Sequence, residues 1–193
     1  MQIKAEEDAH RTACARFGAV VALGKGAWDR PSPCKEWTAG QIVEHVIELH
    51  ESRFLKPLHV TRAVRTGNGV VERWRVTESA LEPAFAKLAG PQKTAFVGDQ
   101  KKRAALPLLT LEVLVHTWDL ARALDVVVSL DTQLCEDALW YVTSRINAFR
   151  TSGRFGSENV AEDGASPESR LVALLGRDPH MAIGRRSMSR SLS

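Results

Sequence analysis

Apolar positions along this chain recur at helical spacing in several long stretches, and no convincing pair of strands can be read from it. Ala9, Ala13, Phe17, Val20 and Val21 mark one face of a helix over residues 4–24, closed by Gly24 and Gly26. Residues 27–37 carry two prolines in three positions, which forbids a helix there; Trp28 and Trp37 bracket this loop and should pin it to the body. Thr38, with Gln41 three residues on, is a capping box that opens a second helix. Ile42, His45, Val46 and Leu49 form its expected inward stripe, and His50 falls off that face. Of the six histidines, this periodicity sends His45 and His116 inward, and His10 reads as a surface or rim residue.

Gly67-Asn68-Gly69 is a turn signal, followed by a helical stripe of Trp74, Leu81, Phe85 and Leu88 over about 70–89. Pro83 should kink or divide that helix, and Gly90-Pro91 should end it. Residues 91–105 read as irregular and basic. Pro107 suits the first turn of the next helix, the most apolar of the chain, running to Leu124-Asp125. Val126-Val127-Val128 could be extended, but one short strand makes no sheet. Asp131 caps a further helix whose stripe runs Leu134, Ala138, Tyr141, Val142, Ile146 and Phe149, stopped at Ser152-Gly153. After a polar loop over 151–165, Ser166 and Pro167 begin a short last helix docked by Leu171, Val172, Leu174 and Leu175, and Gly176 ends it. The expected fold is all-α, an up-and-down four-helix bundle with short extra helices. Residues 1–179 would form a single domain and 180–193 a basic tail.

Composition changes this picture little. The 193 residues are 44% hydrophobic and 25% charged, enough for one globular domain with a full core. The formal charge is +3, and Arg185, Arg186 and Arg190, in an end that holds no acid, account for all of it. The body is therefore neutral, which argues against a nucleic-acid partner, and Lys101-Lys102-Arg103 reads as a solvated loop. No apolar run approaches the roughly 20 residues of a membrane span, and the acidic N-terminus lacks the apolar stretch of a signal peptide. A cytoplasmic protein, monomer or homodimer, is expected. Cys14, Cys34 and Cys135 are odd in number and widely spaced, so reduced thiols are expected rather than a disulfide framework, with Cys14 and Cys135 as packing residues.

Candidate chemistry sits on the apolar helix. Glu112 and His116 stand four apart, on one side of it, with Cβ atoms roughly 6 Å apart. Asp119 follows three residues later. Burying such groups is costly unless something pairs with them. His45, from the second helix, could face Glu112 and His116 and complete a set of two imidazoles and a carboxylate. Catalytic zinc sites commonly take three protein ligands and leave a fourth position open, and the same set suits nickel, iron or cobalt. The alternative is a buried polar cluster in which His116 pairs with Glu112 or Asp119.

Three motifs resemble one family. Pro31-Ser32-Pro33-Cys34-Lys35-Glu36-Trp37-Thr38 with His45 following, Val115-His116-Thr117-Trp118-Asp119-Leu120-Ala121-Arg122-Ala123, and Ala165-Ser166-Pro167-Glu168-Ser169-Arg170-Leu171 through Leu175-Gly176-Arg177-Asp178-Pro179 are similar, in this order, to signatures of DinB/YfiT-like actinobacterial metal-binding proteins. These are in turn similar to the N-terminal domain of mycothiol-dependent maleylpyruvate isomerase. Glu36 and Asp125 stand where the family usually has glycine.

The resemblance implies a helical bundle holding a divalent metal, zinc or nickel, on His45, Glu112 and His116. Asp119 would orient a ligand, or alternatively serve as a cap or pair with Arg122. The implied activity is thiol transfer or a related isomerisation, with mycothiol or another low-molecular-weight thiol as co-substrate and a small electrophile as substrate. Arg122 or Arg145 could receive an anionic part of either, or form surface ion pairs. A non-catalytic metal-binding or ligand-sensing bundle is the alternative.

Overall fold

The computed structural model describes residues 2–34, 37–63, 69–89, 105–151 and 156–181. The expected turn at 67–69 in its first two residues, the Gly90-Pro91 stop, the basic loop with Lys101-Lys102-Arg103, Glu36, the Ser152-Gly153 stop and the tail from 182 onward lie outside the described residues.

The chain is helical. Helix α1 spans Gln2–Ala22. Helix α2 spans Ala39–His50 and runs on through a π-helical turn, Glu51–Leu55, and a 3-10 turn, Lys56–Leu58. Helices α3 (Val70–Ser79), α4 (Leu81–Ala89), α5 (Ala105–Leu124), α6 (Thr132–Thr143), α7 (Ile146–Thr151) and α8 (Pro167–Leu174) follow. No strand forms among the described residues, and Val126–Val128 is irregular. Pro31 and Thr38 form an isolated antiparallel bridge that pinches the loop between them. No described helix is long and apolar enough to cross a membrane.

Helix α5 is the axis. Every residue from Leu111 to Ala121 is buried, because α1 packs along one side of it, α2 along another and α6 beside them. Helix α3 covers α1 and α2, and α8 docks on α6. A helix buried all round must bring its polar side chains inside with it, and α5 carries Glu112, His116, Thr117 and Asp119 into the interior.

Local signals placed several boundaries. Thr38 Oγ1 accepts from the Gln41 backbone N–H and Gln41 Oε1 accepts from the Thr38 backbone N–H, the reciprocal cap expected there. Asp131 accepts from the backbone N–H of Leu134, and Ser166 from that of Ser169. Asp125 ends α5 in the left-handed region at φ 61°, a conformation Asp tolerates better than most residues.

Other expectations need correction. The helix over 70–89 divides at Ala80, not at Pro83. Pro83 lies in the first turn of α4, where its missing N–H is not needed for an intrahelical bond. The helix expected from Asp131 to Phe149 also divides, at Ser144-Arg145, into α6 and α7. The inward stripe of α2 is Ala39, Ile42, Val43, Val46, Ile47 and His50. It is rotated by about one position from the expected one, since α3 packs against α2 as well as α5 does. His50 therefore sits mid-stripe, fully buried, and His45 lies at the edge, half-buried. His10 is likewise fully buried, spaced at i, i+3, i+4 and i+7 with Ala13, Cys14 and Phe17 of α1.

The C-terminal segment is held by a backbone crossing. Gly176 has φ +84°, and a Cβ there would lie 2.7 Å from Gly156 Cα. Substitution is thus opposed both by the dihedral and by space. Gly176→Ala is expected to destabilise the protein by more than about 1 kcal/mol in urea unfolding. At Gly156 a Cβ meets Gly176 at an ordinary 3.5 Å, so Gly156→Ala should stay within about 0.5 kcal/mol of the parent protein.

Candidate metal centre

Three groups of side chains among the described residues bring metal-capable atoms within 4.8 Å of one another: His45 with Glu112 and His116, Cys34 with His116 and Asp119, and His10 with Cys14 and His50. The first is the set expected from sequence. Glu112 Oε2 lies 3.5 Å from His116 Nε2 and 3.9 Å from His45 Nε2. Metal–nitrogen and metal–oxygen bonds of 2.0–2.2 Å in a tetrahedral site separate ligand atoms by about 3.3–3.5 Å. Two imidazole nitrogens and a carboxylate oxygen at this spacing fit a divalent ion.

The elements explain the convergence. Glu112 and His116 are one turn apart on α5. His45 comes from the edge of the α2 stripe, so its ring meets that of His116 edge-on, with centroids 5.1 Å apart. The indole of Trp37, the last residue of the pinched loop, stands 4.6 Å from the His45 ring and 5.8 Å from the His116 ring. Glu112 and His116 side chains are 8% and 5% exposed, whereas His45 is 30% exposed. Access to the centre is therefore from the His45 side.

Asp119 decides which nitrogen of His116 faces the centre. Its Oδ2 lies 3.0 Å from His116 Nδ1, which leaves Nε2 directed at Glu112. A carboxylate holding the far nitrogen of a metal-ligating histidine fixes its tautomer and orientation. Asp119 is itself fully buried and held by Arg177, whose Nε donates to Oδ1 at 3.2 Å and Nη2 to Oδ2 at 2.8 Å. The thiol of Cys34 also donates to Asp119 Oδ2, at 3.1 Å, and its sulfur receives Arg177 Nη2 at 3.1 Å. The guanidinium thus supplies the positive charge beside Cys34 and Asp119, which leaves no role for a cation in the second group.

These contacts set the charges. Burial by itself would raise the pKa of Glu112, but hydrogen bonds from His116 and His45 outweigh it and hold the acid down to about 2. Burial would lower His116, yet Asp119, Cys34 and Glu112 together raise it well above the ordinary value. Asp119, despite complete burial, is kept ionised by His116 and Arg177.

The structure thus gathers His45, Glu112, His116 and Asp119. The alternative partner considered for Asp119, Arg122, is not the one observed: its guanidinium lies over the Trp118 ring, 4.9 Å from the centroid, and Arg177 holds Asp119 instead. Arg145 is exposed, stacked on Tyr141 and bonded to Ser144 Oγ and the Tyr141 carbonyl. Cys34 and Arg177 had no assigned role in the sequence, although both stand inside the quoted motifs. Their meeting, across 143 residues, leaves no local periodic trace.

Two uncharacterized proteins from two strains of Mycobacterium tuberculosis are each 28% identical over 174 residues, covering 88% of this chain and 96% of the relative. No solved structure gives a significant match. The profile of the mycothiol maleylpyruvate isomerase N-terminal domain matches residues 10–55, a span that includes His45 and ends before Glu112. Over that span the chain is similar to the mycothiol maleylpyruvate isomerase N-terminal domain, the resemblance its motifs imply.

Proposed function

We propose that this protein is a divalent-metal-dependent thiol S-transferase, with mycothiol or a similar low-molecular-weight thiol as co-substrate and a small electrophile as acceptor. The observation that carries the reading is the convergence of His45, Glu112 and His116, with the far nitrogen of His116 held by Asp119. The family match, by its name, supports the choice of thiol.

A divalent ion, zinc or nickel, supplies the charge that keeps a bound thiol in its thiolate form near neutral pH. The protein's own residues do the rest. Glu112 contributes a negative ligand that stays ionised through the physiological range. Asp119 and Arg177 hold His116 in one orientation, so the ligand needs no rearrangement when the thiol arrives. Trp37 walls the centre against water and leaves the His45 side for approach. Cys34 is engaged by Asp119 and Arg177 and serves the scaffold, so the nucleophile in this reading is the co-substrate's sulfur. Arg122, whose buried Nε has no hydrogen-bond partner among the described residues, is a better receiver for an anionic part of the thiol or its acceptor than Arg145, which is already engaged.

Elemental analysis of untagged protein should find one equivalent of zinc or nickel, lost in His45→Ala and His116→Ala variants that keep their helical circular dichroism. Metal-loaded protein should then consume thiol with a chlorodinitroarene and release chloride. Binding of thiol without turnover would favour a metal-binding or ligand-sensing role, and absence of metal after reconstitution would leave a satisfied polar core.

Asp119→Asn provides a second check. It keeps the shape but weakens the hold on His116 Nδ1 and on Arg177. Metal affinity of the folded fraction, measured by competition with a chromophoric chelator, should fall by roughly 10–100-fold.

A further inference from the structure

The third group, His10, Cys14 and His50, shares no residue with the centre above. His10 and Cys14 stand four apart on α1, and His50 is the last residue of α2. All three are at most 1% exposed. His10 Nε2 and His50 Nε2 lie 3.1 Å apart, and each is 3.5 Å from Cys14 Sγ.

The outer nitrogens bear on what these inner atoms are. His50 Nδ1 is 2.7 Å from the Val46 carbonyl, which can only accept, so Nδ1 carries the proton and Nε2 the lone pair. His10 Nδ1 is 3.0 Å from Thr110 Oγ1, a hydroxyl that also lies 2.9 Å from the Leu106 carbonyl and can give its proton to either. Two ring nitrogens and a thiol sulfur thus meet in a dry interior. The Val46 carbonyl holds His50 in the tautomer a metal requires, and Thr110 Oγ1 can accept Nδ1–H from His10 when Nε2 takes a metal. Burial draws the pKa of His10 far down and that of His50 to about 4, so both rings are neutral, and it pushes the Cys14 thiol up.

We propose that His10, Cys14 and His50 form a second, closed metal site that takes a soft monovalent ion, Cu(I). Bonds of about 2.0 Å to nitrogen and 2.3 Å to sulfur place ligand atoms about 3.3–3.7 Å apart in tetrahedral or trigonal arrangements, close to the separations observed. A thiolate with two imidazoles is a donor set for soft or borderline metals. Charge selects the monovalent ion. The surroundings are the rings of Phe54, Phe85 and Trp74. Cu(I) replaces the thiol proton, which leaves to solvent, and the site stays neutral. A divalent ion would leave a net positive charge there, which an apolar interior disfavours. Arg11, the nearest cation on α1, is drawn outward to Glu82. Glu78, whose charge falls on Cys14, is partly exposed at the end of α3. With three buried donors and no path for substrate among them, the site holds its ion rather than presenting it.

The test uses the full chain, stripped of metal, loaded anaerobically with Cu(I) and challenged with bathocuproine disulfonate. The parent protein and a His45→Ala/His116→Ala double variant should each keep one equivalent, with one sulfur and two nitrogen neighbours by X-ray absorption. Cys14→Ala, judged folded by circular dichroism, should retain copper roughly tenfold less or worse. Copper should raise the Tm of the parent protein and leave that of Cys14→Ala unchanged. The proposal is overturned if the parent yields its copper as readily as Cys14→Ala, if the double variant is the one that loses it, or if only zinc is retained. The His45→Ala/His116→Ala variant leaves the buried trio untouched and removes the other sulfur-containing group, so its absorption spectrum decides the matter even if Cys14→Ala does not fold.

Discussion

The ion pair between Asp119 and Arg177 is the constraint on which the rest depends. A carboxylate with no exposure, in the middle of a helix buried all round, is tolerable only with full compensation. Arg177 supplies the opposite charge with two donors, Cys34 supplies a third and His116 a fourth. Four parts of the chain are thereby tied to one residue: the pinched loop, the axial helix and the segment after α8 directly, and α2 through them. Removing one member of such a pair costs about 3–5 kcal/mol, because its partner stays buried and uncompensated. The orientation of His116 is a by-product of this arrangement. What is needed to bury Asp119 also aims the imidazole at Glu112.

Much of this was legible in the chain. Caps at Thr38, Asp131 and Ser166 each rest on a backbone donor three residues on, so local sequence specifies them. Glu112 and His116 are related by helical pitch alone, and His45 needed only one further stripe. Other features depended on what lies opposite. A single stripe of α2 puts His50 outward, whereas both α5 and α3 pack against α2 and the buried face includes it. His10 sat beside an apolar stripe that proved wider than its largest residues implied. Breaks at Ala80 and Ser144 carry no proline or glycine, and turning the chain there serves packing that only the assembled body defines. Arg177 pairs across 58 residues with Asp119, a distance at which periodicity says nothing.

The two clusters of donors divide along the same pair of helices. On α2, His45 looks toward solvent and His50 toward the core; on α5, Thr110 backs one cluster and Glu112 with His116 forms the other. A helix rises about 1.5 Å per residue, so His45 and His50 are about 7.5 Å apart along α2, and Thr110 lies about 3 Å from Glu112 and about 9 Å from His116 along α5. Their environments still differ sharply. One is edged by an exposed imidazole and ionised carboxylates, the other enclosed by aromatic rings and neutral.

The late position of Arg177 also has a meaning in time. A ribosome adds about 5–20 residues per second, so Arg177 follows Asp119 by roughly 3–12 seconds. Through that interval α1, α2 and α5 have all been made, yet the acid that must go inside has no counter-ion. Closure of the axial helix is therefore deferred until the segment carrying Arg177 emerges, and the nascent chain must wait with its central seam open.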